Sequence, residues 1–372
     1  MESVGVGLIG TGYMGKCHAL AWNAVNPVFG DCPDVRLLHL ADVTEEQAAA
    51  KARELGFADS NAQWRDVIAD PQVDVVSITT PNAFHAEMAI AALEAGKHVW
   101  CEKPMAPDVG DAARMRDASR AHGKVAILGY NYIQNPVMRH IELLLKSREI
   151  GKVHHVRFEM DEDFMADPEA HFFWKSEASS GYGALDDFAV HPLSLIHKLL
   201  GPVSSVMADM AKPFAHRPLV DGGERAVETY DVANVLLRLE SGAAGMLCVS
   251  RSAWGRKGRV AMQIFGSTGS ILFDQERMNE FQLYRNEGHA ANQGFRTILA
   301  SPDHPPYDRF LPAPGHGLGF NDQKVIECRQ LLAAMAGEEA HLVDFEEGLA
   351  IERTVHAMAR SFEEGRWISV LD

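Results

Sequence analysis

Several absences narrow what this 372-residue chain can be before any motif is weighed. No apolar run is long enough to cross a bilayer, and a composition of 47% hydrophobic and 23% charged residues is ordinary for a soluble globular protein. There is no block of lysine and arginine, and the formal charge is −16, the wrong sign for displacing counterions from phosphate. Nucleic acid and membranes are therefore not expected as partners, and a neutral small molecule is. Cysteine is scarce: Cys17, Cys32, Cys101, Cys248 and Cys328 are odd in number and form no C-x-x-C pair. Neither a disulfide framework nor a zinc site follows, and no H-E-x-x-H or similar group calls for any other metal. No basic segment followed by an apolar stretch and a small-residue cleavage site stands at the amino terminus, so the expected compartment is the cytoplasm. Internal repeats and low-complexity tracts are lacking too.

What is present is an α/β pattern too long for one compact core, which implies two domains, 1–130 and 131–372. Apolar runs at 4–9, 35–41, 73–79, 98–101 and 125–130 alternate with helical patterns at 12–23, 44–55, 83–95 and 109–121, with Thr44 capping one helix and Gly56 and Gly96 ending two of them. That rhythm predicts an N-terminal doubly wound parallel sheet of Rossmann type. Residues 27–33 read as a loop insertion. Beyond Tyr130 the rhythm changes. Helices are expected at 137–147 and 184–200, strands at 153–160, 203–210, 231–240, 243–250, 259–265, 270–273 and 280–284, and closing helices at 321–336 and 345–363. This is an α+β domain with a large, mostly antiparallel, open-faced sheet, interrupted by a long ordered loop at 286–319.

Between the first strand and first helix stands Gly10-Thr11-Gly12-Tyr13-Met14-Gly15. The first glycine permits the tight turn, the second lets backbone approach a pyrophosphate, the third lets helix pack on strand, and the helix N-terminus faces the anion. Asp42 ends the second strand, where a carboxylate accepts ribose hydroxyls and repels a 2′-phosphate, so NAD is expected rather than NADP. It comes 27 positions after Gly15, an excess assigned to the 27–33 insertion. The loop of Thr80, Pro81 and Asn82, with His85 beyond it, follows the third strand and would border the ligand crevice; the same residues also read as a helix start with an exposed histidine.

Glu102-Lys103-Pro104 leaves the next strand at the same edge, so Lys103 would reach the reacting end of the crevice, although a lysine in such a place is more often a solvated surface residue. The peptide bond before Pro104 is a candidate for cis geometry. Cys101 reads as a small buried residue rather than a nucleophile. In the second domain, Asp187 and His191 are four apart in Gly183-Ala184-Leu185-Asp186-Asp187-Phe188-Ala189-Val190-His191-Pro192 and share a face on a helical turn. His191 is suited to take a hydroxyl proton, and Asp187 to orient a substrate and raise the imidazole's basicity. Alone, such a pair is more often a surface ion pair. Pro192 lacks an amide hydrogen, so the helix is expected to kink or begin near His191.

Taken in this order, the glycine motif with Asp42, Thr80-Pro81-Asn82-x-x-His85, Glu102-Lys103-Pro104 and Gly183-Ala184-Leu185-x-Asp187-x-x-x-His191 resemble the Gfo/Idh/MocA oxidoreductase family along nearly the whole chain. The resemblance implies a catalytic set of Lys103, Asp187 and His191, and NAD held by Gly10, Gly12, Tyr13, Met14, Gly15, Asp42, Thr80, Pro81, Asn82, His85, Glu102 and Lys103. It also implies a substrate pocket with Asn131, Tyr132, Glu162, Lys175 and His316 beside Asp187 and His191. Gly12 to His18, Phe273 to Glu280 and Gly319-Phe320-Asn321 resemble the scyllo-inositol and L-glucose dehydrogenase branch, with levoglucosan dehydrogenases as its neighbour. The implied activity is hydride transfer from a secondary hydroxyl of a cyclic polyol or sugar, giving a ketone or lactone, in a homo-oligomer that family likeness makes a tetramer. The alternatives are another sugar or anhydrosugar dehydrogenase of the family, an NAD-assisted glycoside hydrolase, or a regulatory relative without chemistry. Departures from the pattern are Lys175 after Trp174, where relatives usually carry arginine, Ser194 in place of aspartate, and Tyr182 and Asp186 where glycine is common.

Overall fold

A computed structural model describes residues 2–370. The chain divides into two compact units: the first joins the residues up to Gln134 with Leu318–Ala350, and the second joins Asn135–Gly317 with the residues from Ile351 onward. The expected second domain, 131–372, is thus not continuous. Its segment 318–350 belongs with the first unit, because the helix Phe320–Met335 packs on the helix Tyr13–Phe29 and a short strand, Val343–Asp344, joins the first unit's sheet.

In the first unit six strands run in chain order: β1 (Ser3–Ile9), β2 (Asp34–Ala41), β3 (Asp59–Asn61), β4 (Val75–Ile78), β5 (His98–Cys101) and β6 (Ala126–Leu128). They lie in the sheet as β6-β5-β4-β1-β2-β3, all parallel, with Val343–Asp344 antiparallel at the β6 edge. In β1, Val4 to Ile9 are all buried, as a parallel sheet covered by helices on both faces requires. The chain winds one way from β1 through β3 and the other from β4 through β6, so the topological switch point lies between β1 and β4. The caps expected at Thr44 and Gly56 are present: Thr44 accepts from the Gln47 amide, and Gly56 adopts φ 88°.

Two readings of this unit change. The expected insertion at 27–33 is helical as far as Phe29: the helix Tyr13–Phe29 runs through Pro27 and stops at Gly30. Val25 and Phe29 are buried and hold the last turn on the sheet in spite of the proline. The extra length before Asp42 is therefore mostly helix. The strand β3 and the helix Trp64–Ala69, unforeseen in the sequence, occupy the stretch before β4.

The second unit carries β7 (Val153–Glu162), β8 (Val203–Ala211), β9 (His216–Pro218), β10 (Glu224–Ala226), β11 (Val232–Leu239), β12 (Ala244–Ser250), β13 (Lys257–Gly266), β14 (Gly269–Asp274), β15 (Glu280–Arg285) and β16 (Arg296–Leu299). Its main sheet has the order β16-β15-β14-β13-β7-β12-β11-β8, closed by a short strand at Ile368–Ser369, while β9 and β10 form a separate ribbon. Pairing is antiparallel except between β7 and β12. The burial of β11 alternates strictly, so one face packs on the unit's helices and the other does not. The expected loop at 286–319 is only partly a loop, since Arg296–Leu299 pairs with β15 and Tyr307–Phe310 forms a helical turn. Among the described residues, no helix is long and apolar enough to cross a membrane.

Candidate functional site

The residues singled out in the sequence fall on both units: Gly10 to Lys103, Asn131 and Tyr132 on the first, and Glu162, Lys175, Asp187, His191 and His316 on the second. Each set is described within its own unit.

In the first unit five loops leave the carboxyl ends of adjacent strands: Asp42 after β2, the glycine loop after β1, Thr79–Asn82 after β4, Glu102–Pro104 after β5 and Asn131–Tyr132 after β6. The three glycines have distinct reasons. Gly10 adopts φ 90°, a backbone region that favours glycine, and a Cβ on Gly15 would sit 2.3 Å from the Gly10 carbonyl. A Cβ on Gly12, by contrast, would meet nothing within 4 Å, which leaves open space at the N-terminus of the helix Tyr13–Phe29. Asp42 Oδ2 accepts from the Thr11 amide at 2.9 Å and from the Thr11 hydroxyl, so the acidic residue is tied to the glycine loop itself. Thr79 Oγ1 donates to the Gly10 carbonyl at 2.7 Å and stitches in the next loop. An open cradle of amides beside a fixed carboxylate fits the pyrophosphate and ribose of a dinucleotide. Tyr13 is 72% exposed, and its ring centroid lies 6.0 Å from that of Phe320, whose ring is 6.2 Å from that of Tyr132. Asn131 is buried and donates to Gln323 at 3.0 Å.

Two expected cofactor contacts are corrected. His85 is fully buried, with Nδ1 and Nε2 each 2.9 Å from a backbone carbonyl, those of Pro104 and Thr80. Both ring nitrogens are thus engaged in bracing the β4 loop against the Lys103–Pro104 turn, whose peptide bond is cis. Glu102 is buried as well. Its Oε1 accepts from Lys324 Nζ at 2.6 Å and lies 2.9 Å from His18 Nε2. Lys324 also donates to Glu327 Oε2 at 2.9 Å, and the His18 ring stacks on Trp100 with centroids 3.8 Å apart. Burial opposes the charge of Glu102, but Lys324 and the His18 hydrogen bond outweigh it and hold the carboxyl well below its usual range. Burial likewise opposes the Lys324 ammonium, yet Glu102 and Glu327 hold its pKa up at about 12. Burial lowers His18 to about 4 and, with Lys324 pulling the other way, raises Glu327 to about 7. Cys101 is buried and its thiol is pushed well up by burial, in keeping with an inert residue.

In the second unit Asp187 lies in a π-helical turn, Leu185–Ala189, that leads directly into the helix Val190–Leu200 with His191 and Pro192 in its first turn. The missing amide of Pro192 falls where the π-helical turn passes into the α-helix, so the break from regular α-helical bonding lies directly before it. A Cβ on Gly183 would sit 2.4 Å from the Tyr230 carbonyl, and the Ala184 amide donates to that same oxygen, so the segment is stitched to the strand side. Asp187 is held at both oxygens: Lys175 Nζ donates to Oδ1 at 2.6 Å, and Arg251 Nη1 donates to Oδ2 at 2.9 Å. Arg251, 1% exposed, also donates from Nε and Nη2 to Asp231 Oδ1, at 3.0 and 2.7 Å, and from Nη2 to the Thr229 hydroxyl. The Lys175 ammonium further lies 5.4 and 5.5 Å from the ring centroids of Phe164 and Trp174.

Arg251 and Asp231 were not foreseen. They stand one step beyond the registered pair Val232 and Ser250 at the end of the β11–β12 hairpin, and opposed charges facing each other at a hairpin end were the available signal. The departures also find places. Asp186 Oδ2 accepts from the Tyr182 amide and closes the Gly181 loop, and burial raises Asp186 to about 7. Ser194 donates to the His191 carbonyl at 2.7 Å. Glu162 is half-buried at the end of β7. His316 is exposed and borders a cavity of about 290 Å³ with Arg277, Asn279 and Glu280.

Because Glu327 is an acid whose pKa rises on folding from 4.5 to about 7, it keeps its proton in the folded state over a window where the unfolded chain loses it. Stability is therefore lost as pH rises through that window, by roughly 3 kcal/mol. Glu327→Gln should raise the melting temperature relative to the parent more at pH 8 than at pH 5. An equal difference at both pH values would contradict this account of the buried cluster.

Comparison with known proteins agrees with both units. Residues 4–132 match the model "Oxidoreductase family, NAD-binding Rossmann fold", and residues 138–272 match the GFO/IDH/MocA C-terminal domain. A levoglucosan dehydrogenase of Pseudarthrobacter phenanthrenivorans is 34% identical across 100% of this chain and 99% of its own length. A myo-inositol 2-dehydrogenase of Thermotoga maritima is 28% identical over 98% of each. The solved structure of a levoglucosan dehydrogenase with NADH and levoglucosan superposes with a TM-score of 0.96 at 34% identity, covering all of both chains. The open glycine cradle with its tied Asp42, the Lys103 turn and the clamped Asp187 beside His191 are thus carried by a chain that belongs to the NAD-binding Gfo/Idh/MocA oxidoreductase family.

Proposed function

We propose that this chain oxidises a secondary hydroxyl of a cyclic polyol or sugar to a ketone or lactone with NAD. The observation that carries the proposal is Asp187, a carboxylate fixed by Arg251 and Lys175 in the same helical segment as His191. When bound, NAD supplies the hydride acceptor. Gly10, Gly12, Tyr13, Met14 and Gly15 would hold its pyrophosphate, Asp42 its ribose, and Thr80, Pro81 and Asn82 would flank it.

His191 takes the hydroxyl proton. Its Nδ1 is buried, so Nε2 is the ring atom assigned to that transfer. Lys103 donates to the same hydroxyl oxygen and stabilises the negative charge that develops there. Fixed at both oxygens by Lys175 and Arg251, Asp187 would accept from a neighbouring substrate hydroxyl and so orient the ring. Held between two cations, Asp187 orients the substrate more than it raises the basicity of His191. Lys175 has further ammonium hydrogens beyond the one given to Asp187 to offer a neutral, hydroxyl-rich ring, and the family resemblance assigns Asn131, Tyr132, Glu162 and His316 to the same substrate. The full-length likeness to a levoglucosan dehydrogenase favours an anhydrosugar over an inositol as that ring.

On this reading Lys103→Met lowers kcat on the order of 10²–10³-fold, because one donor to the developing alkoxide is lost. NADH binding, followed by its fluorescence, stays within a few-fold of the parent. Undiminished turnover in that variant would sink the assignment.

We further propose a homo-oligomer, a tetramer by family likeness. On the uncovered face of the sheet Leu236 and Met246 are a registered pair, 46% and 40% exposed, and a second copy would cover them. Light scattering after size exclusion should give the mass of four chains, and a monomer at working concentration would contradict it.

A further inference from the structure

Glu102 and Lys103 are neighbours in sequence with different surroundings. Glu102 is 4% exposed, and its main partner, Lys324 from the helix Phe320–Met335, is fully buried at 2.6 Å. His18, from the helix that follows the glycine loop, reaches the same oxygen. No side chain fits between the pair and the β6 end, since a Cβ on Gly129 would sit 2.3 Å from Glu102 Oε1 and 2.8 Å from Lys324 Nζ. On the other side of Lys103, the Pro104 carbonyl is held by buried His85. The residue between these two anchors is the one assigned to the alkoxide.

A lysine acting on developing charge has to be placed closely, and its four-carbon stem is flexible, so the backbone beneath it has to be rigid. Lone buried ion pairs add little stability, because desolvation offsets their attraction; what a hydrogen-bonded one supplies is a fixed geometry. We propose that Lys324, acting through Glu102, is a positioning residue for Lys103: a buried ammonium from the returning C-terminal segment sets the turn that presents the catalytic amine. The proposal rests on the role given to Lys103 above. It assigns a part in the reaction to a residue more than two hundred positions away in sequence.

Glu102→Gln tests it. The amide keeps the side chain's shape and leaves Lys324 balanced by Glu327, so the variant should fold, with a melting transition like the parent's. Hydrogen exchange at the Lys103 and Met105 amides should speed on the order of tenfold as the turn loosens. Misplacement of the amine should lower kcat on the order of tenfold or more, with KM for NAD close to that of the parent. Parent-like exchange in the turn would overturn the proposal, and so would faster exchange with parent-like kcat, which would make the pair merely structural. Should Glu102→Gln fail to fold, Glu102→Asp keeps the charge but draws it back from Lys324; it should show smaller changes in the same two quantities, and parent values for both would overturn the proposal. If the parent protein oxidises no sugar or polyol, the dehydrogenase reading fails by itself, and the exchange measurement still decides whether the tether exists.

Discussion

Parallel strands deliver every following loop to one edge of the sheet, and this constraint organises the first unit. Because β2, β1, β4 and β5 are adjacent, Asp42, the glycine loop, the Thr79–Asn82 loop and the Lys103 turn stand side by side, although the glycine loop and Lys103 lie about ninety residues apart in sequence. The reversal of winding between β1 and β4 parts the flanking helices at the place where the glycine loop opens. Close backbone approaches then fix the details. Gly15 lies against the Gly10 carbonyl, and the Thr79 hydroxyl reaches the same carbonyl, so the cradle has little freedom before any ligand arrives.

Each unit also contains a buried charge cluster that holds one carboxylate. In the first, Lys324 lies between Glu102 and Glu327; in the second, Arg251 lies between Asp187 and Asp231. Each cation has two carboxylates, so losing one of them leaves it a counter-ion, whereas losing the cation strands buried carboxylates in a medium of low polarity, which costs far more than the pair contributes. The clusters therefore tie distant segments together. The helix Phe320–Met335 is bound to β5, and the end of β12 is bound to the π-helical turn that carries Asp187. A π-helical turn at that point is itself an uncommon geometry that recurs at functional sites.

Features with local causes were legible in the sequence. The glycine spacing, the caps at Thr44 and Gly56, the strand at 231–240 and the helix beginning near His191 each depend on a few neighbouring residues. Features with distant causes were not. Lys324 reads as one more charge on a helix, because its partner Glu102 lies 222 positions away. Arg251 reads as a strand-end surface residue, because Asp187 is 64 positions away. His85 carried the signals of an exposed helix start, and the Pro104 carbonyl reverses that reading. β3 and the strand Val343–Asp344, three and two residues long, are too short for periodicity to register, and the latter is what returns the C-terminal segment to the first unit. Pro27 signalled a loop, and burial of the residues on either side of it kept the helix intact.

The central claim is net oxidation of a ring hydroxyl at the expense of NAD. The most direct measurement is NADH formation, followed by absorbance, when the purified protein meets a panel of inositols, aldoses and anhydrosugars with NAD, and with NADP in parallel. The account predicts that NADH accumulates one for one with oxidised product for at least one member of the panel, with NADP much the poorer acceptor. Reduction of neither cofactor by any of them, or release of a sugar from a glycoside without NADH, would contradict it.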